Sequence, residues 1–385
     1  MKNSFTATKK CLLALSVLAG LTSFSQTLTP EFKTAGYTLT DLGSINQLPP
    51  KYGGLTIRSD QPNTLYIGGN ANYGAGAVYT VALLRDSVTN HITGFEGDAV
   101  LYKEAPNNDG GLLFAPNGTL LFTRYSMNHL GQILPDNSYI TTSLTDYGIS
   151  SSVGSIALVP SGYPGAGNLI IASYNAEIFY NIPYTIHSSG QYILSNKTSE
   201  VLVSPTISGP EGIAYIPAGS LGFPNLSMAV SSYGNGKVVV FEVGSDGLPN
   251  VSTARDMITG LTGAEGALID PVTGDFLFST YGGGDKIIRV SGFQAPSGIG
   301  DERLTNSPGF SIFPNPTSGL IKIELTYPLV NGSIEICNIL GNSIIRKEVY
   351  RNGIFELDLT SHPDGIYIIL FKNGERVRAQ RFIKY

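Results

Sequence analysis

Beyond the first 25 residues the chain shows little helix-length amphipathic periodicity; it reads as short apolar runs cut by turn residues. One pattern recurs. Gly111-Leu112-Leu113-Phe114-Ala115-Pro116 is followed by Gly118 and then by Leu120-Leu121-Phe122-Thr123-Arg124-Tyr125. Gly212-Ile213-Ala214-Tyr215-Ile216-Pro217 precedes Met228-Ala229-Val230-Ser231-Ser232-Tyr233, and Gly266-Ala267-Leu268-Ile269-Asp270-Pro271 precedes Phe276-Leu277-Phe278-Ser279-Thr280-Tyr281. Residues 154–160 with 169–174 form a fourth unit, and 54–57 with 65–70 a divergent fifth. The leading glycines recur 43 to 58 residues apart, and each unit continues with a third apolar strand (237–243, 286–290) and usually a fourth (99–103). Four short strands at that spacing predict the blades of a β-propeller, an all-β fold. The last unit runs out at Phe293 after three strands, whereas residues 37–42 form a strand with no unit of its own. That strand is expected to complete the last blade, which removes two raw sheet edges. Five blades are counted, with a sixth to be found only if a degenerate one hides in 184–205.

The pattern changes near the C-terminus. Strands at 320–326, 333–338, 343–349, 354–359, 366–371 and 376–383 alternate with the turn pairs Gly341-Asn342, Asn352-Gly353 and Asn373-Gly374. A small Ig-like β-sandwich is expected. Residues 294–308, rich in Pro, Gly, Ser and charge, read as an exposed linker. At the other end Lys2, Lys9 and Lys10 precede an apolar run from Cys11 to Leu21, and Ser23-Phe24-Ser25 places small residues before Gln26. This is the layout of a secretory signal peptide, and the run falls short of the ~20 apolar residues of a membrane span. The expected division is therefore 1–25 signal peptide, 26–293 propeller body, 294–309 linker and 310–385 sandwich, with no transmembrane segment in the mature chain.

The sandwich opens on Phe313-Pro314-Asn315-Pro316-Thr317-Ser318-Gly319, carries Asp364-Gly365-Ile366-Tyr367 near its end and closes on Arg381-Phe382-Ile383-Lys384-Tyr385. In these motifs, with Phe313, Pro314, Asn315, Pro316, Gly319, Gly365, Tyr367 and Lys384 as markers, it resembles the C-terminal sorting domain of the type IX secretion system of Bacteroidota. The resemblance implies recognition by the type IX machinery at the outer membrane, removal of the tail, and cargo held at the outer cell surface or released, by way of the periplasm. An ordinary Ig-like adhesion module is the alternative. The body resembles the broad group of NHL-repeat and gluconolactonase-like propellers. It is closer still to secreted bacterial propellers that end in other kinds of sorting tail and bring no known activity.

Composition agrees with a turn-rich β protein. Charged residues are 14% of the chain against about 25% in an average soluble protein, with 46 Gly, 21 Tyr and no Trp. The net charge is −5 and no basic patch is evident, which argues against a nucleic-acid partner. Cleavage would leave Cys337 as the one thiol, expected as a small buried apolar group without a disulfide.

Propeller geometry places the start of each first strand and the loop after each second strand on one face, around the axis. Asp109, Glu211 and Glu265 stand at the first position; Asn70, Asn72, Tyr125, Tyr174, Asn175, Tyr233, Asn235 and Tyr281 stand at the second, with Asp285 following. Carboxylates and amide oxygens in that number suit calcium, which takes six to eight oxygen ligands, and metal-bound water could support lactone or ester hydrolysis. The Glu-Asn-Asn-Asp metal set of gluconolactonase-like enzymes does not map onto this chain residue by residue. The alternative for Glu211 and Glu265 is to accept hydrogen bonds from inward-pointing backbone N–H groups. The tyrosines read either as packing between blades or as a stacking platform for sugar rings. The four histidines are scattered, and no H-E-x-x-H, G-x-S-x-G, EF-hand or phosphate-loop motif occurs. The expected function is thus a secreted or surface propeller that binds a ligand or partner; the alternative is a calcium-dependent hydrolase.

Overall fold

The structure is a computed structural model that describes residues 26–294, 310–325, 332–338, 342–350, 353–373 and 376–385. The segment expected as a signal peptide (1–25), residues 295–309 of the expected linker and parts of the three expected hairpin turns lie outside the described residues.

Five antiparallel sheets follow one another along the chain. Blade one comprises Leu55–Ile57, Thr64–Gly69, Ala77–Arg85 and Ile92–Glu104; blade two comprises Asn108–Phe114, Leu120–Arg124, His129–Ile133 and Tyr139–Ser143. Blade three is Val153–Leu158, Leu169–Ser173, Ile178–Ile182 and Ser199–Leu202, and blade four is Pro210–Ile216, Ser227–Ser232, Lys237–Val243 and Pro249–Thr259. Blade five is Ala264–Ile269, Phe276–Thr280 and Ile287–Ser291, completed by Thr38–Gly43 from the other end of the chain. The pairing Thr38↔Ser291, Leu39↔Val290, Thr40↔Arg289 closes the ring. The segment around 184–205 is no sixth blade. It holds a small hairpin, Tyr184–Ile186 with Tyr192–Leu194, followed by the outer strand of blade three.

The repeated glycines have a common reason. The first strands of successive blades lie side by side around the axis, and a Cβ at each leading glycine would strike the next blade's main chain. It would sit 2.7 Å from the Gly110 carbonyl at Gly54, 2.7 Å from the Ile156 nitrogen at Gly111 and 2.5 Å from the Ala267 nitrogen at Gly212. At Gly266 it would lie 2.6 Å from the Gly54 Cα, so the contact passes around the ring and returns to its start. Hydroxyls staple the same layer. Thr123 accepts from the Gly111 N–H (3.0 Å) and donates to the Gly154 carbonyl of the next blade (2.9 Å); Ser279 does likewise between the Gly266 N–H (3.0 Å) and the Gly53 carbonyl (2.6 Å).

Between each pair of blades lies an apolar layer, such as Ile170, Phe179, Met228 and Val239 between blades three and four. The seam between blades five and one adds a charged lock. Arg85 makes a bidentate ion pair with the fully buried Asp270 (2.7 and 2.8 Å), and His91 meets the equally buried Asp275 at 2.7 Å.

The tail has a three-stranded sheet (Phe310–Phe313, Leu320–Leu325, Gly353–Asp358) and a four-stranded one (Ser343–Val349, Gly332–Asn338, Gly365–Asn373, Arg376–Lys384) over one apolar core. Its opening motif is clipped to its last strand. Asn315 Oδ1 accepts from the Ile383 N–H (3.0 Å), Thr317 N–H donates to the Ile383 carbonyl (2.8 Å), and Tyr385 N–H donates to the Thr317 carbonyl (3.0 Å). Tyr367 stacks on Phe382 and donates to the Pro363 carbonyl, while Lys384 pairs with Asp364 at 2.6 Å. Cys337 is buried and free, as expected. Among the described residues no helix is long and apolar enough to cross a membrane.

Candidate functional site

At the head of their first strands, β-bulges interrupt the pairing in blades two, four and five between Asn108 and Leu112, Pro210 and Ile213, and Ala264 and Ala267. Each bulge frees the residue before the leading glycine from regular pairing. Those residues are Asp109 (with Gly110 between), Glu211 and Glu265. One carboxylate oxygen of each lies within 4.8 Å of the others, and all three side chains are buried.

Their surroundings satisfy them only in part: the Gly110 N–H favours the charged forms of Asp109 and Glu211. Asp109 Oδ2, Glu211 Oε2 and Glu265 Oε1 have no hydrogen-bond partner. Asn72, with its amide nitrogen turned to the acceptors, donates to Asp109 Oδ1 (2.9 Å) and to the Asn108 carbonyl (3.3 Å). Burial drives all three carboxyls up, Asp109 to about 8, and each negative neighbour raises Glu211 and Glu265 further. Asp109 and Glu265 are close enough to share a proton between them.

Above this floor stands a tyrosine collar. Tyr174 and Tyr233 meet edge to face at 5.9 Å between centroids, and Tyr233 and Tyr281 at 6.3 Å. Tyr125 is close enough to act on both Tyr174 and Tyr233. Tyr73, from the equivalent loop of blade one, brings its hydroxyl against that of Tyr281. The collar therefore draws one tyrosine from every blade. Burial, then Glu211 at Tyr174 and the Tyr73 phenol at Tyr281, push both up to about 12, so their hydroxyls stay protonated and able to donate. Lys51 lies 4.8 Å over the Tyr281 ring; its N–H (3.0 Å) and that of Gly282 (2.9 Å) both donate to Asp285 Oδ1, which fixes the rim.

The amides expected beside the tyrosines take other places. Asn175 and Asn235 are exposed turn residues, and Asn235 reaches only the Thr206 carbonyl at 3.4 Å. Asn70 occupies a left-handed turn position, and it is Asn72, two residues on, that touches the carboxylates. Tyr73 and Lys51 were not legible as site residues. Blade one's loop is longer than its counterparts, so its tyrosine falls four residues past the strand end rather than one.

The chemistry of this floor fits a hard dication. Calcium–oxygen distances of roughly 2.3–2.6 Å allow ligand oxygens up to about 5 Å apart across the ion, and the three oxygens here lie within 4.8 Å of one another.

Residues 311–385 match the family model of the secretion system C-terminal sorting domain. The chain thus carries a type IX sorting tail, which directs it to the cell surface or the medium. No curated protein sequence matches. Among solved structures, a catalytically inactive virginiamycin B lyase of Staphylococcus aureus, with quinupristin, is 15% identical (TM-score 0.36), covering 66% of this chain and 99% of that one. A structure provisionally described as a gluconolactonase is 12% identical (TM-score 0.39; 71% and 100% covered), and a luciferin-regenerating enzyme 8% identical (TM-score 0.39; 68% and 99% covered). The five sheets themselves, not these scores, carry the propeller assignment.

Proposed function

We propose that the exported body is a ligand-binding propeller in which Asp109, Glu211 and Glu265 hold one divalent cation, calcium by preference, beneath a tyrosine collar that grips the ligand. The observation behind this reading is the set of three buried carboxylates with unpartnered oxygens directed to one place. A satisfied structural role would leave those oxygens paired with backbone N–H groups. A ligand with oxygen groups would complete the cation's shell from the open side, and the protonated tyrosine hydroxyls would donate to it. The test is calorimetric titration of the purified chain with calcium after chelation. One-site binding, and a melting temperature that rises with calcium, are expected; absence of both would overturn the proposal.

The raised Asp109 carboxyl, at about 8, also favours a second reading, hydrolysis of a lactone or ester, because a group titrating near neutrality can exchange protons with a substrate. A bound dication would supply polarisation of the scissile carbonyl. Calcium-dependent acid release from simple lactones in a pH-stat would separate this reading from binding alone.

A further inference from the structure

The ring has a second opening. On the face away from the tyrosine collar, the first strands of all five blades enclose a cavity of about 660 Å³. It extends from Gly110, just under the carboxylate floor, to the loops that join first to second strands, including residues 160–163 and Pro217. The volume lies within the roughly 300–1,000 Å³ of small-molecule pockets.

Its walls are mainly apolar, with the hydroxyls of Thr56, Ser155, Ser161, Tyr163 and Tyr215 among them. Leu55, Leu112, Phe114, Ile156, Ile213 and Leu268 represent the apolar part, and none of the lining residues is charged. The tyrosine hydroxyls in the wall are already engaged: Tyr215 donates to the Gly247 carbonyl (2.7 Å) and Tyr163 to the Ile216 carbonyl. Ser155 differs. It is 1% exposed, lines the cavity, and its Oγ has no hydrogen-bond partner. Ser155 pairs with Ala172 in the register of the rest of the strand, just after a bulge that falls at Gly154. A buried hydroxyl left unpaired costs about as much as a lost hydrogen bond, so a polar partner there is worth binding.

We propose that this lower channel is a second binding site, separate from the carboxylate floor, for one neutral and mainly hydrocarbon molecule carrying a single oxygen function that pairs with Ser155. Neutrality follows from the uncharged wall, since an ionised head group would be stripped of water without a partner. A wholly apolar molecule would leave Ser155 unpaired.

The test uses the purified full-length chain and a neutral apolar fluorophore, N-phenyl-1-naphthylamine, displaced by 1-decanol. Saturable binding of one fluorophore per chain, unchanged by chelator, is expected. Ser155→Ala should weaken decanol about fivefold. Ala267→Phe, which places a ring in the channel, should weaken both ligands more than tenfold, with melting temperature recorded for each variant. Absence of saturable binding, or decanol affinity unaltered in both variants, would overturn the assignment. A crystal of the unmodified protein under xenon provides a reading that needs no variant: xenon in the channel supports an accessible apolar site, and its absence counts against one.

Discussion

Neutralising one of the three floor carboxylates should have opposite effects with and without calcium. At separations of up to 4.8 Å and an effective dielectric of about 20, one pair of unit charges repels by about 3.5 kcal/mol. The cation-free protein relieves part of this by keeping protons. Because the folded-state pKa values lie above those of the unfolded chain, that contribution to stability is complete below pH ~4 and falls as pH rises through about 8, where Asp109 ionises. In chelator, at a pH where the floor carries negative charge, Glu211→Gln lowers that charge by up to one unit and offers an amide N–H to the neighbouring carboxyls. A gain of about 1–2 kcal/mol is expected after proton sharing, or roughly 2–8 °C in melting temperature. With calcium at a hundredfold excess over its dissociation constant, the parent gains about 2.7 kcal/mol and the variant should lose most of that gain. Scanning calorimetry of both proteins, with chelator and with calcium, should therefore show the order of melting temperatures reverse. A variant less stable than the parent in chelator would show that Glu211 is a satisfied hydrogen-bond acceptor, and the cation reading would fail with it.

Gly266→Ala should cost about 1–3 kcal/mol or more, since its Cβ would meet the Gly54 Cα, a backbone atom that cannot swing aside. Gly94→Ala, with open space around it, should stay within about 0.5 kcal/mol in the same urea titration. Asp270→Asn strands the Arg85 guanidinium, itself only 11% exposed, and should cost about 3–5 kcal/mol, seen as a lower urea midpoint at unchanged slope. Deleting residues 310–385 should leave the body inside the outer membrane in cell fractionation; undiminished surface or medium levels would remove the sorting role from the tail.

The propeller could be read from the chain because its repeat is written in residues that the packing requires. Gly111, Gly212 and Gly266 are glycines for a steric reason, and the apolar runs after them fill the layers between blades. The carboxylates were legible for a related reason: Glu211 and Glu265 directly precede those glycines, so the repeat itself placed them at the axis. What escaped was whatever depended on loop conformation. Asn72 and Tyr73 sit in a turn whose left-handed residues, Asn70 and Asn72, redirect the chain by steps that no spacing rule foretells. His91 looked like a scattered histidine, because its partner Asp275 is 184 residues away and only ring closure joins them. The lower cavity was invisible for another reason: its wall is the ordinary apolar face of five strands, and the space between them leaves no mark in the sequence.

The strand Thr38–Gly43 pairs with residues 253 positions later, at Thr38 and Ser291. During synthesis it is made before the strands of blades one to four, and its partner, Ile287–Ser291, follows only after all of them. Pairing over such a separation is slow and leaves the waiting chain exposed to misassembly. A body cut short before blade five cannot close, whereas an intact body closes just ahead of the tail that marks it for export. The order of the elements thus acts as a clock: by the time the address at residues 311–385 exists to be read, the last partner that the first strand needs has already been made.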